Sequence, residues 1–409
     1  MARRRIRMWL APLAVLAVVT AACNNNNNGG GGGGGGSSAP AQKIDVTVYA
    51  QGAWTGPYNY LVVPSIQGGK LKVKELNADP SFPATITVGQ ADTQGSGDQA
   101  PPVVQNVISD PNTVAVLGPA FSGESFASGD SYEQAGIPFV TQSATNADLS
   151  TQGWTYWYRT VAGDILQGGD DGKFIAQVLK SKKLYLVNDK EAYGQGLTDQ
   201  VKKTATAGGV QIVGEEGVAG GTDDWSPVIS SIKSSGADTV FFGGYDADFA
   251  KFVKQGKDGG LNVNWMSGDG SVSDTFLASA GDAANDVYLS IASNLGGDFA
   301  QKYNAAYGSK ASTVPVYAAE GYDAMGLIGA GIKSAIDGGA TTPEEIRSGI
   351  KAYLDGLTVD SPYHGTAKDI AFTPEHELTA ANEDTLMFFY QVKNGQVTQL
   401  GDAATVLGG

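Results

Sequence analysis

"LYLVNDKEAYGQGLTDQV", residues 184–201, decides the fold class. Leu184, Leu186 and Val187 form an apolar run of strand length, Asn188 to Glu191 read as a turn, and Leu197 and Val201 stand one helical turn apart. Gly208-Gly209 then predicts the helix stop. A strand that passes through a polar turn into a helix is the building unit of a parallel sheet covered by helices. In such sheets ligands bind beyond the carboxyl ends of the strands, beside the helix amino termini. Tyr193, next to that turn, is therefore a candidate contact as well as a candidate core residue.

The unit recurs along the chain. Strand-like runs closed by small or polar turns include "IDVTVYAQGAWTG", "ATITVGQADTQGSG", "VAVLGPAFSGES" and "IPFVTQSATNADL" before residue 150, then "VQIVGEEGVAGG", "DTVFFGGYDAD" and "VNWMSGDGSVSD" after residue 184. Helix-compatible stretches such as 222–235 and 246–255 lie between them. The alternation predicts parallel sheets with helices on both faces, in two groups separated by "WYRTVAGDILQGG". Later segments are more helical, and Thr342, Pro343 and Glu345 make a capping box with proline in the first turn. Two last strand-like runs follow, the second with an Asn-Gly hairpin turn. Returning helices would complete the first lobe and the last strands the second, which gives a multi-stranded hinge.

The amino terminus is an export address. Arg3, Arg4, Arg5 and Arg7 precede an apolar run from Met8 to Ala22, shorter than the roughly 20 residues of a spanning helix. The sequence "TAAC" places the only cysteine, Cys23, directly after it, and resembles a bacterial lipoprotein signal in which that cysteine is lipidated. Thr20 stands where that signal usually has Leu. Residues 24–42 are Asn, Gly, Ser, Pro, Ala and Gln, expected to act as a flexible tether. Asn24 to Ser38 would reach about 20 Å as a random coil.

Without the four signal arginines, 23 basic residues face 42 acidic ones, a net charge of −19. That argues against nucleic acid as a partner, and against binding to anionic lipid except through the anchor. One cysteine allows no internal disulfide, so a body of about 365 residues must be held by its core, and it is long enough for two lobes.

Several spaced blocks carry a family resemblance: "YAQGAWTGPYNY", "VLGPAFSGES", "GIPFVTQSATNADLS", "YRTVAGD", "NDKEAYGQGL", "DDWSPVISSIKSSGADTVFFGGYDADFAKFVKQGKDGGL" and "MSGDG". In this order the chain resembles the type I periplasmic binding proteins of branched-chain amino acid transporters over nearly all of residues 43–400. The resemblance implies an α/β fold of two Rossmann-like lobes joined by a multi-stranded hinge. The expected boundaries are 1–22 for the signal, 23–42 for the lipidated cysteine and tether, 43–161 with 293–368 for the first lobe, and 162–292 with 369–409 for the second. It implies an extracytoplasmic, lipid-anchored monomer that closes on an amino acid and delivers it to the permease subunits of an ABC importer, with no cofactor and no metal.

The resemblance also implies site residues. Ser122, Ser143 and Thr145 fall where the family holds the ligand carboxylate, Ser122 and Thr145 by hydroxyls and Ser143 by its backbone. Their alternative role is helix capping. Asp269 matches the family's acidic residue for the ammonium group, although Glu is usual there, and its alternative is a turn residue between glycines. Tyr193 and Tyr245 would pack on the ligand from the second lobe, and Trp54, Tyr60 and Phe121 from the first. Asp246 is expected to begin a helix. Departures are Pro64, which predicts a break in the first helix, and Gly123, where many relatives have a second hydroxyl.

An enzyme is a poor alternative. Only His364 and His376 could serve as histidine bases, no Ser stands in Gly-x-Ser-x-Gly, and Ala120 takes the first glycine's place around Ser122. Metal-ligand spacing is absent, and "GQGLTD" lacks the third glycine of a dinucleotide fingerprint. The closer alternative is a sensory or uptake receptor for another small solute, an amide, carboxylate or sugar, on the same fold.

Overall fold

The computed structural model of the chain describes residues 43–308, 315–366 and 368–408. The signal, Cys23 and the tether lie outside them. The first apolar runs become β1 (Ile44–Gly52), β2 (Ala84–Asp92), β3 (Thr113–Leu117), β4 (Phe139–Thr141) and β5 (Trp157–Arg159), connected through α1 (Asn59–Ala78), α2 (Ala100–Ser109) and α3 (Ser122–Gln134). All pair in parallel, in the order β2-β1-β3-β4-β5. Every residue of β3 is buried, as expected for a parallel strand covered on both faces.

The second sheet contains β6 (Lys183–Asn188), β7 (Gln211–Gly217), β8 (Thr239–Gly243), β9 (Asn264–Ser267) and β10 (Tyr288–Ile291), with α4 (Asp164–Lys173), α5 (Ala192–Ala207), α6 (Ser226–Ser235), α7 (Asp246–Asp258) and α8 (Asp274–Ala280) between and before them. These five strands are also parallel. The chain then returns through α9 (Asp298–Tyr307), α10 (Ala318–Asp337) and α11 (Pro343–Asp355). Helix α11 lies against the first sheet, where Arg347 Nε donates to the Thr113 carbonyl at 2.8 Å. Helix α10 meets α1 at backbone distance: a Cβ at Gly68 would stand 2.0 Å from the Ala318 carbonyl, and one at Gly321 2.0 Å from that of Ser65. Only glycine permits that approach.

A small sheet of β11 (Tyr363–His364), β12 (Asp369–Phe372) and β13 (Leu378–Thr379) leads to β14 (Phe388–Lys393) and β15 (Gln396–Asp402). These last two add antiparallel to β10, completing the order β15-β14-β10-β9-β8-β6-β7. Asn394 and Gly395 both have positive φ, +52° and +72°, as a two-residue hairpin turn matched to strand twist demands. The chain thus passes between the two sheets after β5, after β10 and after α11. Arg159, at the end of β5 and 1% exposed, ties the first passage to the third. Its guanidinium makes a two-pronged ion pair with Glu377, and its backbone N–H donates to the His376 carbonyl at 3.1 Å.

Two local expectations are corrected. Helix α1 runs through Pro64. A proline at its sixth position removes one intrahelical bond, the one to the Tyr60 carbonyl, and the close α1–α10 packing outweighs that loss. Tyr193, expected beside the turn, lies in the first turn of α5, because the helix starts at Ala192.

Candidate ligand-binding site

The order of growth of the first sheet reverses between β1 and β3, and that of the second between β6 and β8. Such reversals splay the loops at the carboxyl edge and leave a crevice. Both crevices face one narrow cavity. Leu61, Val62, Ala120, Phe121, Ser122 and Ser143 line it from the first-sheet side; Tyr193, Tyr245, Asp269 and Gly270 line it from the second, with Tyr317 between.

Asp269 follows β9 and is 3% exposed. Its Oδ1 accepts from Gln167 Nε2 at 2.7 Å and from the Tyr193 hydroxyl at 3.0 Å, and its Oδ2 accepts from the Tyr317 hydroxyl. Burial raises its pKa and these three donors partly offset the rise. The Tyr193 hydroxyl also accepts from the Gly270 N–H at 3.1 Å. Its donor and one acceptor site are therefore in use, and what it offers the cavity is chiefly its ring. Gln167 and Tyr317 are site residues that the sequence did not disclose. A positive φ of +65° at Tyr317, unusual for a bulky residue, was invisible there.

On the opposite wall, Ser122 opens α3, where backbone N–H groups lack helical partners and the helix dipole favours an anion. Its Oγ accepts from the Asn146 N–H at 3.2 Å, which leaves the hydroxyl proton free of that bond. The Ser143 hydroxyl donates to the Ala120 carbonyl at 2.8 Å, so Ser143 borders the cavity with its side chain engaged by backbone. Phe121 and Tyr245 line the cavity. Tyr245 precedes α7, and Asp246 opens that helix. A further aromatic, Tyr58, packs tilted against both, its ring 5.8 Å from that of Phe121 and 4.7 Å from that of Tyr245, closing an aromatic bridge from one half to the other. Burial, followed by Asp248, Asp189, Glu191 and Asp246, pushes the Tyr58 hydroxyl up to about 12.

Three expected contacts do not line the cavity. Trp54 is held at the sheet edge: its N–H donates to Asp92 Oδ1 at 3.1 Å, its Nε1 to the Ala50 carbonyl at 2.8 Å, and Lys70 Nζ sits 4.5 Å from its ring. Thr145 is fully buried, its carbonyl accepting from the Asp164 N–H at 2.7 Å, and burial pushes the Asp164 carboxyl up to about 7. Tyr60 spans the cleft, its hydroxyl donating to the Gly270 carbonyl at 2.6 Å.

The comparisons with known proteins agree with this architecture. Residues 51–396 match the family profile described as "Periplasmic binding protein". The Leu/Ile/Val-binding protein BraC3 of Rhizobium johnstonii is 30% identical over 315 residues, 76% of this chain and 85% of that protein. A leucine-, isoleucine-, valine-, threonine- and alanine-binding protein of Pseudomonas aeruginosa is 30% identical over 62% of this chain and 68% of its own length. Among solved structures, the leucine-binding protein LivK of Thermotoga maritima superposes with a TM-score of 0.77 at 20% identity, covering 87% of this chain and 97% of that one. LivJ of Streptococcus pneumoniae in complex with isoleucine gives 0.74 at 22%, covering 88% and 99%. A Rhodopseudomonas palustris solute-binding protein in complex with benzoate gives 0.74 at 20%, covering 88% and 96%. The chain belongs to the type I periplasmic binding protein family, the group that includes the branched-chain amino acid receptors.

Proposed function

We propose that the chain is the solute-binding component of an ABC importer and captures a branched-chain amino acid between the lobes 43–161 with 293–368 and 162–292 with 369–409. The observation that carries this reading is the cavity's polarity. Neutral hydroxyls and helix-start amides stand on one wall, a buried carboxylate on the other, and Leu61, Val62 and Phe121 supply apolar surface between them. A zwitterion with an aliphatic side chain satisfies all three, its carboxylate toward Ser122, Ser143 and the start of α3 and its ammonium toward Asp269. Phe121, Tyr193 and Tyr245 would pack on the side chain.

Family membership implies a solute-binding protein, not an enzyme, outside the cytoplasm. Among the described residues no helix is long and apolar enough to cross a membrane. Anchoring through lipidated Cys23, delivery to permease subunits and action as a monomer are parts of the same proposal.

A second reading has one observation behind it. Three protein donors already occupy the Asp269 carboxylate, an arrangement that would also suit a carboxylate ligand lacking an ammonium group. Titration calorimetry with L-leucine, L-isoleucine, L-valine, 4-methylpentanoate and benzoate decides between them. Preference for leucine over 4-methylpentanoate, which differs by the ammonium group, supports the amino-acid reading, and equal or tighter binding of the simple acids rejects it.

A further inference from the structure

Tyr60 and Tyr317 stand on neighbouring elements of the first-sheet half, Tyr60 near the start of α1 and Tyr317 directly before α10. The glycine contacts at Gly68 and Gly321 lock those two helices together. Both hydroxyls reach the same turn of the other half. That of Tyr60 donates to the Gly270 carbonyl at 2.6 Å and accepts weakly from the Asp246 N–H at 3.4 Å, while that of Tyr317 donates to Asp269 Oδ2. Tyr317 is 1% exposed and held at a φ that only its surroundings can impose. Both bonds run between protein groups, so forming them requires no ligand atom.

We propose that Tyr60 and Tyr317 are positioning residues that latch the Asp269–Gly270 turn onto the first half, so that closing the cleft and presenting the Asp269 carboxylate are one event. The inference rests on the proposed site but not on the identity of its ligand. Opening the cleft must break both bonds together with the aromatic contacts of Tyr58, Phe121 and Tyr245. The latch therefore acts on the closed population and on the rate of ligand escape more than on the rate of encounter. It also orients Asp269, because the Tyr317 bond occupies Oδ2 and the Tyr193 and Gln167 bonds occupy Oδ1.

The test compares Tyr60→Phe, Tyr317→Phe and the double variant with the native exported chain, using stopped-flow fluorescence with L-leucine and small-angle scattering without it. Each single variant should release leucine about two- to tenfold faster, with the association rate within about twofold of native. The ligand-free double variant should have a larger radius of gyration than the native chain. Tyr303→Phe is the control, because it removes a tyrosine hydroxyl bond, to Gln67, made wholly within the first half. It should lower the melting temperature without changing the release rate. Native release rates in both Tyr60→Phe and Tyr317→Phe, or release accelerated equally by Tyr303→Phe, would overturn the latch. If Tyr317→Phe does not fold, Tyr60→Phe carries the test alone. If the native chain binds no leucine, the amino-acid reading fails and the scattering decides the latch: a compact ligand-free double variant rejects it, an expanded one supports it.

Discussion

On the first-sheet wall of the cavity the polar groups are neutral and leaned on by backbone: Ser122 accepts from the Asn146 N–H, and Ser143 donates to the Ala120 carbonyl. The second-sheet wall carries an ionisable group deep in the protein, with Gln167, Tyr193 and Tyr317 built around it. The difference matches what the proposed zwitterionic ligand would ask of each wall. An anion is met at little cost by helix-start amides and hydroxyls that lack helical partners. A cation needs a counter-charge, and a buried carboxylate is tolerable only when hydrogen bonds replace its water. The first wall is therefore the ordinary carboxyl edge of a parallel sheet, while the second is a constructed network.

The strongest way to break that contrast is Asp269→Asn. It keeps the shape but removes the charge, and leucine affinity should weaken roughly 10- to 150-fold, since hydrogen bonds to charged groups contribute about 1.5–3 kcal/mol. Calorimetry measures it, and unchanged affinity would remove Asp269 from the site. Ser122→Ala, on the neutral wall, should cost about 0.5–1.5 kcal/mol, or roughly two- to tenfold. A loss as large as that of Asp269→Asn would show that the walls are energetically alike.

Acidity separates the effects by sign. Glu124 in the first half and Asp164 and Asp189 in the second are each pushed up to about 7, in every case chiefly by burial. Their unfolded values lie near 4. Folding therefore takes up protons between about pH 4 and 7, and these groups favour the fold most at the acidic end, losing that contribution as pH rises through 7. The melting temperature should be higher at pH 5.5 than at pH 8, checked by calorimetric scans, and Glu124→Gln should flatten the dependence. Leucine affinity should move the opposite way. The Asp269 pKa is raised, so the carboxylate loses its charge at a higher pH than a free one, and binding should weaken as pH falls. The smallest effect is expected at Gly123, where a Cβ meets nothing within 4 Å. Gly123→Ser should fold normally and change affinity by less than about threefold, in the range of a weak neutral hydrogen bond.

Much of this was readable from the chain. The family resemblance pointed to Ser122, Phe121, Tyr245 and Asp269, and each follows an apolar run and precedes a helix or turn, as a residue at the carboxyl edge of its own sheet does. Tyr193 was placed at that edge, but its hydroxyl serves Asp269, 76 residues away. Trp54 satisfies the same strand-end pattern, yet its turn is drawn to Asp92 and away from the cavity. The aromatic character of Tyr60 is visible in sequence and suggests a wall, while its partner, 210 residues distant, is not visible there. Pro64 misled for the same reason: the loss of one hydrogen bond is local, and the α10 packing that overrides it is not.

The amino-acid sequence by itself determined the alternating strand–helix architecture, the acidic surface charge and the residue types at the carboxyl edges, because periodicity and turn chemistry are properties of neighbouring residues. Only the tertiary structure decided that Gln167, Tyr193 and Tyr317 converge on one carboxylate, and that Tyr60 crosses the cleft instead of lining it. Those arrangements depend on how two sheets and the helices that return to them meet in space, and on the demand that a buried charge find partners wherever the chain can supply them.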